Sequence, residues 1–307
     1  MIRLLLSLIS LLYLFAIPSS GFGKTYHVYY LGGQSNMDGY GTVTELPSEL
    51  QNRQLDVPIY HGSTAPDGGP LDGRGIWAPL SPGHGVGFRS DGESNRYSNR
   101  FGVELSFARR LQHLYPNRSI AIIKYSRGGT SIDREAAGTA GCWEADFSRP
   151  GTAHPGINQY DHFLSTIRGG FAARDIDGDG QDDVLIPSGI VWMQGESDAE
   201  FTEAIANRYS KNLKRLMDLI RAALRTDDLP VAVGRISDSG QSDSGRVWDY
   251  GNIIRREQAR YTSSDHHARL VISTDDYGYC DPWHYDSAGY LDLGVQFANA
   301  LHGFDGS

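Results

Sequence analysis

From residue 24 onward the chain alternates short runs of β-branched and aromatic residues with longer stretches of helical period. The short runs fall at Tyr26 to Leu31, Ile120 to Tyr125, Val184 to Met193, Pro230 to Ile236 and Arg269 to Thr274. Between the third and fourth, Ile205, Tyr209, Leu213, Leu216, Ile220 and Leu224 recur at steps of three or four, which predicts a helix over about 202–224 with Lys211, Lys214 and Arg221 on its outer face. Further helices are predicted over about 103–114 and 247–261, and an apolar helical pattern follows Gly289. Strands separated by helices predict an α/β fold, a three-layer α/β/α doubly wound sheet of about five parallel strands. The stretch from Pro47 to Asn99 is rich in Gly, Pro, Asp and Ser with little periodicity, and reads as a long loop over the carboxyl edge of the strands, where ligand sites form.

Arg3, the apolar run Leu4 to Ile17 and then Pro18-Ser19-Ser20-Gly21-Phe22-Gly23 have the order of a secretory signal peptide. The run is short for a membrane span, so an uncleaved anchor is the weaker alternative. Residues 1–23 are therefore set aside and 24–307 read as one domain, secreted to an extracellular or periplasmic space, with no stable membrane insertion after signal removal. With 307 residues, 39% of them hydrophobic, the chain is long enough to bury a full core. A net charge of −9 argues against nucleic acid as a partner, since phosphate binding needs a basic face. In an oxidising compartment the two cysteines, Cys142 and Cys280, are expected to be bridged. Asn117-Arg118-Ser119 is an N-glycosylation sequon if the host is eukaryotic.

Candidate chemistry clusters where strands end. The first strand runs into Gly32-Gly33-Gln34-Ser35, which places a serine at the carboxyl end of a strand, where open α/β sheets carry their sites. The plain alternative is a helix N-cap. A serine hydroxyl needs a base, and the base needs a group that fixes its tautomer. Asp281-Pro282-Trp283-His284 supplies both on one short loop, with Pro282 stiffening it, unless His284 only caps the next helix. Glu196 and Asp198 compete with Asp281 as the acid. Gln194, after the third strand, offers a carboxamide to the oxyanion of a tetrahedral intermediate, and the glycines of Ser126-Arg127-Gly128-Gly129-Thr130 offer a backbone N–H. Their plain alternatives are a solvated loop residue and a tight turn.

Gly33-Gln34-Ser35-Asn36-Met37, Arg127-Gly128-Gly129-Thr130, Trp192-Met193-Gln194-Gly195-Glu196-Ser197-Asp198 and Asp281-Pro282-Trp283-His284 occur in an order that resembles the sialate O-acetylesterase and acetylxylan esterase branch of the SGNH hydrolases. The resemblance covers about residues 25–302. It implies a flavodoxin-like SGNH fold, Ser35 as nucleophile and oxyanion donor, and Gly129 or its neighbour Gly128 as a second donor. It further implies Gln194 in the place of the wider family's Asn, and His284 with Asp281 completing a triad. Gln34, Asn36, Arg127, Gly128 and Glu196 are the candidates for substrate contact or support. Phe101-Gly102-Val103-Glu104-Leu105 also looks like a family segment, but Val103 stands where proline is expected, so Glu104 receives no role. The implied activity is removal of O-acetyl groups from carbohydrate, either a polysaccharide such as xylan or O-acetylated sialic acid, with no cofactor for catalysis. An esterase acting on lipid or other small esters is the nearest alternative, and a noncatalytic, calcium-dependent carbohydrate-binding protein the next. Trp77, Trp143 and Trp283 lean toward sugar stacking.

One motif stands apart. Asp175, Asp177, Asp179 and Asp183, with Gly180 at the sixth position, have the spacing that wraps oxygen ligands around Ca²⁺. The twelfth position is Ile186 rather than glutamate, so bidentate closure is lost unless Asp183 substitutes. A structural calcium is the expectation, a solvated acidic turn the alternative. His84, His266 and His267 read as surface or loop residues.

Overall fold

The strand-forming runs assemble into one seven-stranded sheet in the computed structural model, which describes residues 23–66, 70–148 and 157–304. Its strands are β1 (Thr25–Gly33), β2 (Gln54–His61), β3 (Trp77–Leu80), β4 (Ser119–Ser126), β5 (Val184–Met193), β6 (Val231–Gly234) and β7 (Ala268–Val271). Their spatial order is β7-β6-β5-β1-β4-β2-β3. All neighbours run parallel except β3, which lies antiparallel to β2 at one edge. In β1, Val28, Tyr29, Tyr30 and Leu31 are consecutively buried, the mark of a central parallel strand covered on both faces.

Two of the seven strands, β2 and β3, fall inside the 47–99 stretch expected to be loop. The physical reason is proline: Pro58 of β2 pairs with Pro79 of β3, and proline in a ladder is tolerated at a sheet edge, where a sequence reading rejects it. The three-layer α/β architecture stands, with more strands than expected and one of them antiparallel.

Helices cover both faces. On one side α2 (Glu104–Leu114) packs against α6 (Ser287–His302), so closely that a Cβ on Gly294 would lie 2.1 Å from Ser106 Oγ. On the other side α3 (Gln159–Ala172), α4 (Glu203–Ala223) and α5 (Gly251–Ser264) sit together, with Tyr160 OH donating to Leu219 O at 3.1 Å. α4 begins where Thr202 Oγ1 accepts from Ile205 N and buries the apolar stripe read from its period. Arg221 departs from the expected outer face: it turns inward to a 2.7 Å ion pair with Asp265. α3 escaped the sequence reading because Gly169-Gly170 and a mixed period weaken its signal; Asn158 caps it by accepting from Tyr160 N and Asp161 N.

Both cysteines are free thiols, against the expected bridge. Cys142 is sealed with Ala137 and Phe147, while Cys280 is exposed. His84 is fully buried rather than superficial, with its Nδ1 3.1 Å from that of His61. Among the described residues no helix is long and apolar enough to cross a membrane. The expected signal peptide falls, apart from Gly23, outside them.

Candidate active site

Register brings the sequence blocks together. Gly33 at the end of β1 lies opposite Ser126 of β4 on one side and Met193 of β5 on the other. The segments Gln34–Ser35, Arg127–Gly129 and Gln194–Asp198 therefore leave the sheet at one level, in the crevice where successive strands go to opposite sides of β1. Gly33 takes φ +143°, and a Cβ there would fall 1.9 Å from Met193 O. Only glycine lets the chain turn so tightly into the one-turn helix α1 (Ser35–Asp38), whose first residue is Ser35.

Asn36 then ties this turn to the far end of the chain. Its Nδ2 donates to Glu196 Oε1 at 2.7 Å and Trp283 O at 3.1 Å, and its Oδ1 accepts from Tyr290 OH at 2.7 Å and Tyr285 N at 3.4 Å. The residues on both sides of His284 are thus held by the residue next to Ser35.

Within the 281–284 loop, Asp281 Oδ2 lies 2.7 Å from His284 Nδ1, while Oδ1 accepts from the backbone N–H groups of Trp283 and His284, both at 2.8 Å. Partial burial opposes the charge on Asp281, but these donors prevail and hold its carboxyl below the usual carboxylate range. Tyr40 stacks on the imidazole, with ring centroids 3.5 Å apart and planes 5° from parallel. The ring is thereby fixed by an acid on one edge and an aromatic on one face.

The rival acids are engaged elsewhere. Glu196 bonds Asn36, and burial raises its pKa. Asp198 accepts from Ile132 N, Asp133 N and Gln194 Nε2 at 3.0, 2.9 and 2.7 Å; burial pushes it up to about 7. Of the three carboxylates weighed from sequence, Asp281 is the one bonded to His284.

On the oxyanion side the assignments divide. Gly128 lies against the nucleophile turn, since a Cβ there would be 3.3 Å from Ser35 Cβ, but its N–H already donates to Asp38 Oδ2 at 2.8 Å. The backbone N–H groups of Ser35 and Gly129 have no acceptor among the described residues, and Gly129 takes the left-handed φ of +72°. Gln194 does not fit the donor role given to it. Its Nε2 faces Gln34 Oε1, Thr130 O and Asp198 Oδ2 at 3.1, 3.1 and 2.7 Å, and its Oε1 receives Tyr209 OH at 3.0 Å. Two amide hydrogens already shared among three acceptors leave none for a substrate, so Gln194 braces the site from beneath. Gln34 does the same: its carboxamide oxygen lies 3.3 Å from the N–H groups of Gly195 and Ser197. Backbone N–H groups can only donate, which fixes the oxygen there against the flipped amide that would face Glu196. Arg127 contributes through its main chain, its N–H donating to Gly33 O at 3.1 Å.

Three participants escaped the sequence reading. Asp38 and Tyr40 follow Ser35 within one turn and carry no motif of their own. Glu104, to which no role was attached, forms a fully buried 2.8 Å ion pair with Lys124, whose Nζ also donates to Asp38 O. A charged residue at the centre of a parallel strand such as β4 is the signal that was available.

A model of the carbohydrate esterase family described as sialic acid-specific acetylesterase matches residues 25–303. The chain belongs to this family. As an acetylesterase it is a carboxylic ester hydrolase, built on the three-layer α/β sheet described above. The fold is similar to that of a protein from Arabidopsis thaliana, at TM-score 0.60 and 18% identity over 91% of this chain and 98% of that one. It is also similar to a carbohydrate acetylesterase from Xanthomonas citri, at 0.59 and 16% over 90% of this chain and 57% of that one. NanS follows at 0.57 and 17% over 92% and 98%. No protein among curated sequences matches this one.

Elsewhere, Asp175, Asp177 and Asp183 each offer an oxygen within 4.8 Å of the others, a set of hard oxygen donors, and the two oxygens of Asp183 also accept from the N–H groups of Lys24 and Ile176. Asp179 lies outside that set, and the Lys24 ammonium contacts Asp177 and Asp179. Of the three tryptophans considered for sugar stacking, Trp143 is fully buried and Trp77 half-buried, whereas Trp283 is 50% exposed.

Proposed function

We propose that this protein is a secreted esterase that removes O-acetyl groups from carbohydrate through an acyl-enzyme on Ser35. His284 Nε2 takes the Ser35 proton as Oγ attacks the acetyl carbonyl, and Asp281 holds Nδ1 in the tautomer that leaves Nε2 free. The N–H groups of Ser35 and Gly129 receive the oxyanion. Protonated His284 then returns its proton to the departing sugar hydroxyl, and the same imidazole activates the water that releases acetate.

The observation that carries this reading is the Asn36 clamp, which fastens the backbone on either side of His284 to the residue beside Ser35. A carbohydrate substrate is favoured by the exposed Trp283 indole and by a polar cavity of about 400 Å³ behind the same loop. That cavity is lined by Asp238, Gly240, Arg246, Trp248, Asn252 and Arg255 among others, and Ser239, between two of these residues in the chain, donates from Oγ to Pro282 O at 2.8 Å. A structural Ca²⁺ held by Asp175, Asp177 and Asp183 is part of the proposal and takes no part in the chemistry.

The test is acetate release from acetylated xylan and from O-acetylated sialoglycans by the wild-type protein and Ser35→Ala. Release from either substrate that vanishes in the variant is the expected result. Retained turnover in Ser35→Ala would overturn the mechanism, and a preference for long-chain esters would overturn the substrate class.

A further inference from the structure

A half-buried carboxylate sits one turn beyond the proposed nucleophile with no part in the proposed triad. Asp38 closes α1, its Oδ1 accepts from Ser126 Oγ at 2.5 Å, and its Oδ2 accepts from Gly128 N at 2.8 Å. Its own carbonyl receives Lys124 Nζ at 2.9 Å, and Lys124 is in turn neutralised by Glu104. One residue thus joins the helix that presents Ser35 to the end of β4 and to the loop that presents Gly129.

We infer that Asp38 is a positioning residue that sets the oxyanion loop in register with the nucleophile, aiming the Gly129 N–H by holding the N–H of the residue before it. The geometry requires some such device. Two adjacent peptide N–H groups in a loop compete for the same concavity, and a donor aimed an ångström off the developing oxyanion loses most of its effect. By taking Gly128 N–H out of the competition, the carboxylate leaves Gly129 N–H as the one that faces the substrate side. Gly129 with φ +72° makes the change of direction between the two. Burial raises the Asp38 pKa, opposed by Ser126, Lys124 and Gly128, so the donors around it are what such a carboxylate needs to persist in the core. The Lys124–Glu104 pair extends the same brace further back along β4 and to α2, which gives Glu104 a place in the site after all.

This inference rests on Ser35 being the nucleophile, and the experiment separates the two. Steady-state hydrolysis of p-nitrophenyl acetate is compared for wild type, Ser35→Ala, Asp38→Ala, Asp38→Asn and Ser126→Ala, each normalised to folded protein by circular dichroism. In parallel, the rate of Ser35 phosphonylation by a p-nitrophenyl methylphosphonate is measured, since that adduct also places an oxygen in the oxyanion hole. Asp38→Ala is expected to lower kcat about 10- to 100-fold with KM within about twofold, and to slow phosphonylation in proportion. Asp38→Asn should recover most of both rates, because a carboxamide oxygen can accept from Gly128 while its NH₂ donates to Ser126 Oγ. Ser126→Ala, which frees one carboxylate oxygen, should lower kcat several-fold. An Asp38→Ala enzyme with wild-type kcat, or one whose loss falls on KM alone, would overturn the inference. If Asp38→Ala does not fold, unchanged kcat in Ser126→Ala would overturn it instead. Turnover retained in Ser35→Ala would remove the reading beneath it, whatever Asp38 does.

Discussion

Asn36 and His284 are separated by almost the whole chain, yet Asn36 holds the carbonyl before His284 and the N–H after it. His284 is therefore positioned by the neighbour of Ser35 and not only by its own loop. Replacing Asn36 with Ala is expected to lower kcat about 10- to 100-fold while taking the Asn36 side-chain donor from the buried Glu196 carboxylate, at a cost to stability of about 1–3 kcal/mol. Kinetics and urea denaturation of the variant check both halves. Unchanged kcat would mean that the 281–284 loop orients itself.

Asp281→Asn keeps the side-chain shape but offers an N–H where His284 Nδ1 now has an acceptor. The imidazole is then left in the wrong tautomer, and kcat should fall by roughly 10²- to 10⁴-fold with little change in melting temperature. The matching changes Glu196→Gln and Asp198→Asn should cost less activity. A larger loss in either would restore that residue as the triad acid.

Asp198 ties the oxyanion loop to the end of β5, and its folded pKa of about 7 stands above the ordinary 3.8. The native state then holds a proton that the unfolded chain releases, so this group stabilises most below its unfolded pKa and the contribution is lost as pH rises through about 7. Chemical denaturation between pH 4 and 8 should show stability declining across that window for wild type, with a smaller decline in Asp198→Asn. Equal slopes in the two proteins would show that Asp198 stays ionised throughout.

Calcium gives a third handle on stability. If Asp175, Asp177 and Asp183 hold the ion, adding millimolar Ca²⁺ to metal-free protein should raise the melting temperature by a few degrees, and Asp177→Asn should abolish the shift. The specific activity of folded protein should stay the same. An identical melting curve with Ca²⁺ and with chelator would leave Lys24 as the cation that serves Asp177 and Asp179.

What the sequence revealed follows from how local each signal is. The strands of the sheet interior were legible because burial on both faces demands an unbroken apolar run, and the triad loop because Asp281 and His284 meet across three residues. The edge strand β3 and its neighbour β2 were hidden by their prolines. Gln194 was misassigned because its type fits an oxyanion donor, whereas its role depends on partners at Gln34, Thr130, Asp198 and Tyr209, dispersed along the chain. The brace at Asp38 was invisible for a similar reason: its partners at Ser126 and Gly128 are some ninety residues away in sequence. The expected bridge between Cys142 and Cys280 rested on compartment alone, and burial of one thiol with exposure of the other overrode it.

The prolines that concealed the sheet's edge also determine what that edge can do. Pro79 stands on the outermost strand and has no N–H to offer, and its partner across the ladder is Pro58. A second extended chain approaching β3 finds an interrupted row of donors over only four residues. That side of the sheet is a poor template for strand addition, so crowding molecules together does not make the parallel sheet grow from one molecule to the next into a fibre.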